Sequence, residues 1–163
     1  MKKLLVLSAL AVFIYACGGE NKEDKPANAS GETAATDNSN KPGGGDPGYD
    51  AKRGVGKFTN VEVSPQLDAA KAEAGIKVYD VKCASCHKLS DEKLVGPGWA
   101  GVTQRRTAEW IMNFVTNTEE MLAKDPEAQA QLEICLVRMP NQNLSDDDAR
   151  NVYEFMRKND GVK

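Results

Sequence analysis

The run Cys83-Ala84-Ser85-Cys86-His87 constrains this chain more than any other feature. Two thiols three positions apart, with an imidazole on the next residue, admit three readings: a redox-active thiol pair, part of a zinc site, or attachment of a haem. A thioredoxin-like pair needs a preceding strand in a βαβ setting. Here Ala69, Ala72, Ile76, Tyr79 and Cys83 instead recur at the 3-4-3-4 spacing of an amphipathic helix. A zinc site would need a second cysteine pair, and the sequence has none. The spacing does suit the two vinyl groups of a porphyrin, with the next residue sending its imidazole to the iron from one face. One covalently bound haem c is therefore expected, held by Cys83 and Cys86 and ligated by His87.

His87 is the sole histidine of the chain. Ligation by two histidines of one chain is thereby excluded, so the sixth iron ligand is a methionine, another donor, or nothing. Met156 belongs to the stripe Ala149, Val152, Tyr153, Met156 and reads as helix core. Met112 points off the apolar face formed by Trp110, Ile111, Phe114 and Val115, and Met121 follows the polar Thr118-Glu119-Glu120. Met139 differs because Pro140 biases it out of the α region, into an extended segment from which a thioether can swing to the iron. It is the expected distal ligand, a gap-filling core methionine being the alternative.

The amino-terminal third reads as targeting and tether. Lys2 and Lys3 precede a largely apolar run of 12 residues, Leu4 to Tyr15, too short to span a bilayer comfortably and typical of a signal segment. It ends in Ile14-Tyr15-Ala16-Cys17, which resembles a bacterial lipobox, in which the cysteine thiol carries the lipid. Residues 1–17 are thus expected to be a lipoprotein signal peptide with lipid-modified Cys17. Gly18 stands where many inner-membrane lipoproteins have Asp, and Lys22-Glu23-Asp24 resembles a surface-export signal of Bacteroidota lipoproteins. Residues 18–57 are rich in Gly, Asn, Ser, Pro and Ala, and bury too little to offset ordering entropy. As a flexible tether of about 40 residues they would span roughly 35 Å.

Residues 58–163 are expected to form one all-α domain of four to five helices around the haem. Helix starts are marked by Asp68, Thr107, Thr118, Asp125-Pro126 and the capping box Ser145-Asp146-Asp147-Asp148. Gly96, Gly98 and Gly101 suggest a loop close to the porphyrin edge. Cys135 shares a stripe with Ala128, Leu132 and Leu136 and reads as a buried structural thiol, an intermolecular disulfide, a redox-sensing thiol or an iron ligand being the alternatives. The formal charge of −3 argues against nucleic-acid binding. Between Lys77 and Arg106 six basic residues face three acidic ones, whereas from Thr107 to Lys163 six basic residues face eleven acidic. Such a dipole would present its positive end, near the cysteines, to an acidic partner.

From about Asp68 to Lys158 the chain resembles class I, monohaem cytochrome c domains. The resemblance rests on Gly75 and Tyr79 ahead of Cys83-Ala84-Ser85-Cys86-His87, then Gly96-Pro97, Met139-Pro140 and a terminal helix with Tyr153. It implies that the Pro97 carbonyl accepts the His87 imidazole N–H, and that Gly75 and Tyr79 pack against Tyr153 where the first and last helices cross. The segments 94–99 and 139–144 also resemble small Bacteroidota cytochromes, some of which accompany nitrous oxide reductase.

Two functions follow. With His87 and Met139 both on the iron, the protein is an outer-sphere electron carrier and not an enzyme. It would be exported, lipid-anchored, and served by redox partners such as a membrane quinol-oxidising complex or nitrous oxide reductase, with no small-molecule substrate. With Met139 absent or labile, the alternative is a peroxidase or gas-binding sensor, against which the lack of a distal histidine counts.

Overall fold

The computed structural model describes residues 49–163. The signal segment, Cys17 and residues 18–48 of the expected tether lie outside the described residues. Six helices follow in order: α1 (Ala69–Lys82), α2 (Val102–Arg105), α3 (Ala108–Thr116), α4 (Thr118–Lys124), α5 (Pro126–Cys135) and α6 (Asp146–Asn159). Apart from an isolated bridge between Asp50 and Gly54, no β-structure forms among the described residues. The all-α expectation holds, with one helix more than the expected four to five: α2, a four-residue turn too short to leave a periodic signal.

The helix starts follow from side chains that satisfy orphan amides. Asp68 accepts from Lys71 N at 3.0 Å, Thr107 from Trp110 N at 3.2 Å, Asp125 from Ala128 N at 2.8 Å and Ser145 from Asp148 N at 3.1 Å. Three aspartates in the first turn of α6 suit the positive end of its dipole. Asp160, just past α6, accepts from Gly101 N, Thr103 N and Thr103 Oγ1, and so fixes α2 against the last helix.

The scaffold is the crossing of α1 and α6. Gly75 makes it possible: a Cβ there would lie 2.0 Å from the Asn151 carbonyl oxygen and 2.8 Å from Phe155 Cβ. Tyr79 then packs on Phe155, ring centroids 5.3 Å apart, where Tyr153 was expected. Tyr153 lies two residues away on α6, buried beside Arg150. Phe155 takes the contact because an i to i+4 step from Asn151 keeps one face of α6 toward α1. Ala69, expected on the buried stripe of α1, is exposed, and the buried face runs through Ala72, Gly75 and Tyr79 to Cys83.

Residues 49–57, assigned above to the tether, are instead part of the folded unit. They form a strap held by backbone and side-chain contacts to α3, α4 and the Asp125 cap between α4 and α5. The Tyr49 hydroxyl donates to Asp125 at 2.7 Å, the Asn113 amide donates to the carbonyls of Arg53 and Phe58 while accepting from Phe58 N, and Thr107 Oγ1 donates to the Lys52 carbonyl. Gly54, at φ 67°, presses on Met121 and Asp125 where no Cβ would fit. Composition concealed the strap because most of its hydrogen bonds use its backbone groups, while only a few apolar side chains, Val55 and the adjoining Phe58 among them, pack on the core.

Residues 62–68 are pinned similarly. Buried Glu154 pairs with Arg157 at 2.8 Å and Arg150 at 2.9 Å, and these arginines donate to the carbonyls of Glu62, Ser64 and Pro65.

Candidate functional site

Helix α1 ends in the motif. Cys83 caps it, its N–H returning to the Tyr79 carbonyl, and the amides of Cys86 and His87 both donate to the Cys83 carbonyl at 3.0 and 2.9 Å. This tight turn places Cys83 in the core, leaves Cys86 and His87 half-buried, and turns all three toward one cavity. The returning loop is tied down by Val95 N and Gly96 N, which donate to the Cys86 carbonyl.

The imidazole of His87 is held on three sides. Its Nδ1 lies 2.9 Å from the Pro97 carbonyl oxygen; a carbonyl only accepts, so Nδ1 carries the proton and Nε2 is left with a free lone pair. Trp99 packs beside the ring at 5.6 Å between centroids. Gly96 lies against it so closely that a Cβ would fall 2.3 Å from Cε1. The loop glycines thus differ in kind: Gly96 and Gly98 are required for space, and only Gly101 for a positive φ, 70°.

A residue absent from the expected site also acts here. The Tyr79 hydroxyl donates to the His87 carbonyl at 2.8 Å, and its ring lies 5.0 Å from Trp99. In the sequence, Tyr79 shares the helix face of Cys83, and the resemblance gives it packing at the helix crossing but not this hydrogen bond.

Burial pushes the free Cys83 thiol up to about 11, the neighbouring Cys86 adding to this and Lys82 opposing it. A redox-active thiol would be lowered instead, which argues against the thioredoxin-like reading. Burial also lowers the His87 pKa, with the Pro97 hydrogen bond acting in the opposite direction. The imidazole is therefore biased toward the neutral form that binds a metal.

The cavity has a volume of about 470 Å³. Cys83, Cys86, His87 and Pro97 line it together with Met139, which follows α5 in the chain. Its walls are chiefly apolar, with Trp110, Ile111, Phe114 and Val115 from α3 and Leu132 from α5. Four cations also line it, Lys82, Arg105, Arg106 and Arg138, and no carboxylate does. A flat apolar group bearing two carboxylates fits such a lining, as the porphyrin and its propionates require.

The other methionines occupy different settings. Met156 lines the cavity from α6 as core. Met112, expected off the apolar face, is buried, because α3 is enclosed by α4, α6 and the strap. Met121, expected in a polar stretch, is fully buried, and its sulfur accepts the Val55 N–H at 3.0 Å. Cys135 is half-buried on the cavity wall rather than in the core, and Leu136, expected on its stripe, is exposed.

Comparison with known proteins agrees with this geometry. Residues 72–160 match the family model for cytochrome c. The fold is similar to that of a cytochrome c from Rhodothermus marinus, at 31% identity and a TM-score of 0.62, covering 64% of this chain and 90% of that one. An engineered form of that cytochrome, Rma TDE, gives 30% identity and 0.62 over the same shares. The engineered form bound to a carbene intermediate gives 30% and 0.59. No match emerges among the curated proteins. The match along the helical domain, with the cysteine pair and histidine set around an apolar cavity, places the chain in the cytochrome c family, as an electron carrier with covalently bound haem c.

Proposed function

We propose that Cys83 and Cys86 attach the haem, that His87 and Met139 fill both axial positions of its iron, and that the protein is an outer-sphere electron carrier. The observation that supports the reading is the cavity itself, whose lining includes both His87 and Met139. The chemistry supplied by the group when bound is a one-electron exchange between ferrous and ferric iron, raised in potential by Met/His ligation.

The chain's own residues do the rest. Pro97 orients His87 and keeps Nε2 unprotonated. Trp99, Trp110, Ile111 and Val115 exclude water. His87 and Met139 would both hold the iron in either oxidation state, leaving no donor position to a substrate and little rearrangement when an electron moves. The partners are redox proteins, met briefly over small interfaces.

The setting is an exported one. Lipidation of Cys17 anchors the protein to a membrane, and the segment following it lets the domain move between a quinol-oxidising donor and a terminal reductase, nitrous oxide reductase being the acceptor suggested by resemblance.

The rival reading, an exchangeable sixth site, merits a direct test because a relative has been engineered to hold a carbene intermediate. The reduced protein should give a low-spin spectrum that added carbon monoxide leaves unchanged. Ready binding of carbon monoxide, with a high-spin ferric form, would overturn the carrier.

A further inference from the structure

Asp125 joins three parts of the chain at one carboxylate that is fully shielded from solvent. Its Oδ1 accepts from Ala128 N at 2.8 Å and so caps α5. Its Oδ2 accepts from the Trp110 indole Nε1 at 3.2 Å and from the Tyr49 hydroxyl at 2.7 Å. Trp110 lines the cavity from α3, whereas Tyr49 belongs to the strap. Each of these donors matters, because a buried carboxylate has no water to replace one that is lost. The strap closes on the same spot: Gly54 leaves no room for a Cβ against Met121 and Asp125, and Val55 N donates to the Met121 sulfur.

Met139 takes its position from α5. Among the described residues, the hydrogen bonds of residues 137–144 stay within that segment, Gln142 Nε2 donating to the Pro140 carbonyl and Asn143 N to the Asn141 side chain. Packing of Met139 and Leu144 on the core is their remaining hold. Helix α5 in turn packs on α4 and makes no comparable contact with another of the described helices. Two of its ties are open to water: Lys93 Nζ donates to the Ile134 carbonyl at 2.9 Å, and Arg106 pairs with Glu127 at 2.8 Å. Such ties contribute little. The buried tie is Asp125.

On the reading that Met139 ligates the iron, we infer that Tyr49 and Asp125 are positioning residues for that bond: the strap clamps the amino end of α5, and through α5 it sets how firmly Met139 holds the sixth position. With the Tyr49 hydrogen bond made, Asp125 fixes α5 to the cavity wall at Trp110 and to the strap at once. With it broken, α5 is left more to α4 and to its solvent-screened ties, and its local opening costs less. The methionine then competes less well with an outside donor.

The test is the binding of imidazole to the full-length, haem-loaded ferric protein, followed by loss of the far-red sulfur-to-iron band. Tyr49→Phe keeps the ring and deletes the hydroxyl. It should bind imidazole roughly tenfold more tightly than the wild type, the factor expected when a hydrogen bond to a buried carboxylate supports the displaced ligand. In a Met139→Ala background no methionine competes, and there the same substitution should leave imidazole affinity unchanged, now read from the main visible absorption. Arg150→Leu releases the Glu62 carbonyl instead; it should lower the unfolding midpoint without changing imidazole affinity. Equal affinity of Tyr49→Phe and wild type, an equal gain in both backgrounds, or the same gain from Arg150→Leu would overturn the inference while leaving Met139 as the ligand. A wild type without the far-red band would overturn both the ligand assignment and the inference.

Discussion

Tyr79 does more for the haem loop than its place in the sequence suggests. Its ring joins Trp99 and Phe155, and its hydroxyl donates to the carbonyl of His87. Burial raises its pKa above the ordinary tyrosine value, with smaller contributions from Cys83 and Asp80, so the hydroxyl stays a donor across the neutral range. Tyr79→Phe keeps the ring and deletes the hydrogen bond, and should destabilise the haem-loaded protein by about 1 kcal/mol in denaturant unfolding. An unchanged midpoint would show the contact to be idle. At this scale the motif itself was legible, since thiol spacing and a lone histidine are properties of the letters. The surroundings of Met112 and Met121 were not. Helical periodicity assumes one buried face, whereas the strap and neighbouring helices cover α3 and α4 on several sides.

Among elements, the crossing of α1 and α6 carries the motif, and Gly75 sets its distance. Gly75→Ala would drive a methyl group into the Asn151 carbonyl, and backbone cannot move aside as a side-chain tip can. A loss of about 3 kcal/mol in thermal or denaturant unfolding is expected, at the upper end of the usual cost of overpacking. A variant as stable as the wild type would mean that the helices part without cost. The helix starts were readable because Asp68, Thr107, Asp125 and Ser145 each announce a cap. The strap and α2 were not, for they are held by Asn113, Asp125 and Asp160 from distant parts of the chain.

For the whole molecule, the distribution of charge bears on the proposed attachment. The basic stretch from Lys77 to Arg106 supplies three of the four cations lining the cavity, and the acidic remainder includes the start of α6. Under the proposed lipidation of Cys17, a domain with this polarity would meet an acidic partner close to the membrane. Cys17→Ser should therefore move the protein from the membrane fraction to the soluble one, and firm membrane retention would point to another anchor. The central claim is the pair of axial ligands, and the far-red sulfur-to-iron absorption band of the oxidised protein tests it most directly. Met139→Ala should abolish that band and lower the midpoint potential, while Met121→Ala, which removes a sulfur already bound to the Val55 amide, should leave the band in place. The opposite pattern, a band lost with Met121 and kept without Met139, would contradict the account.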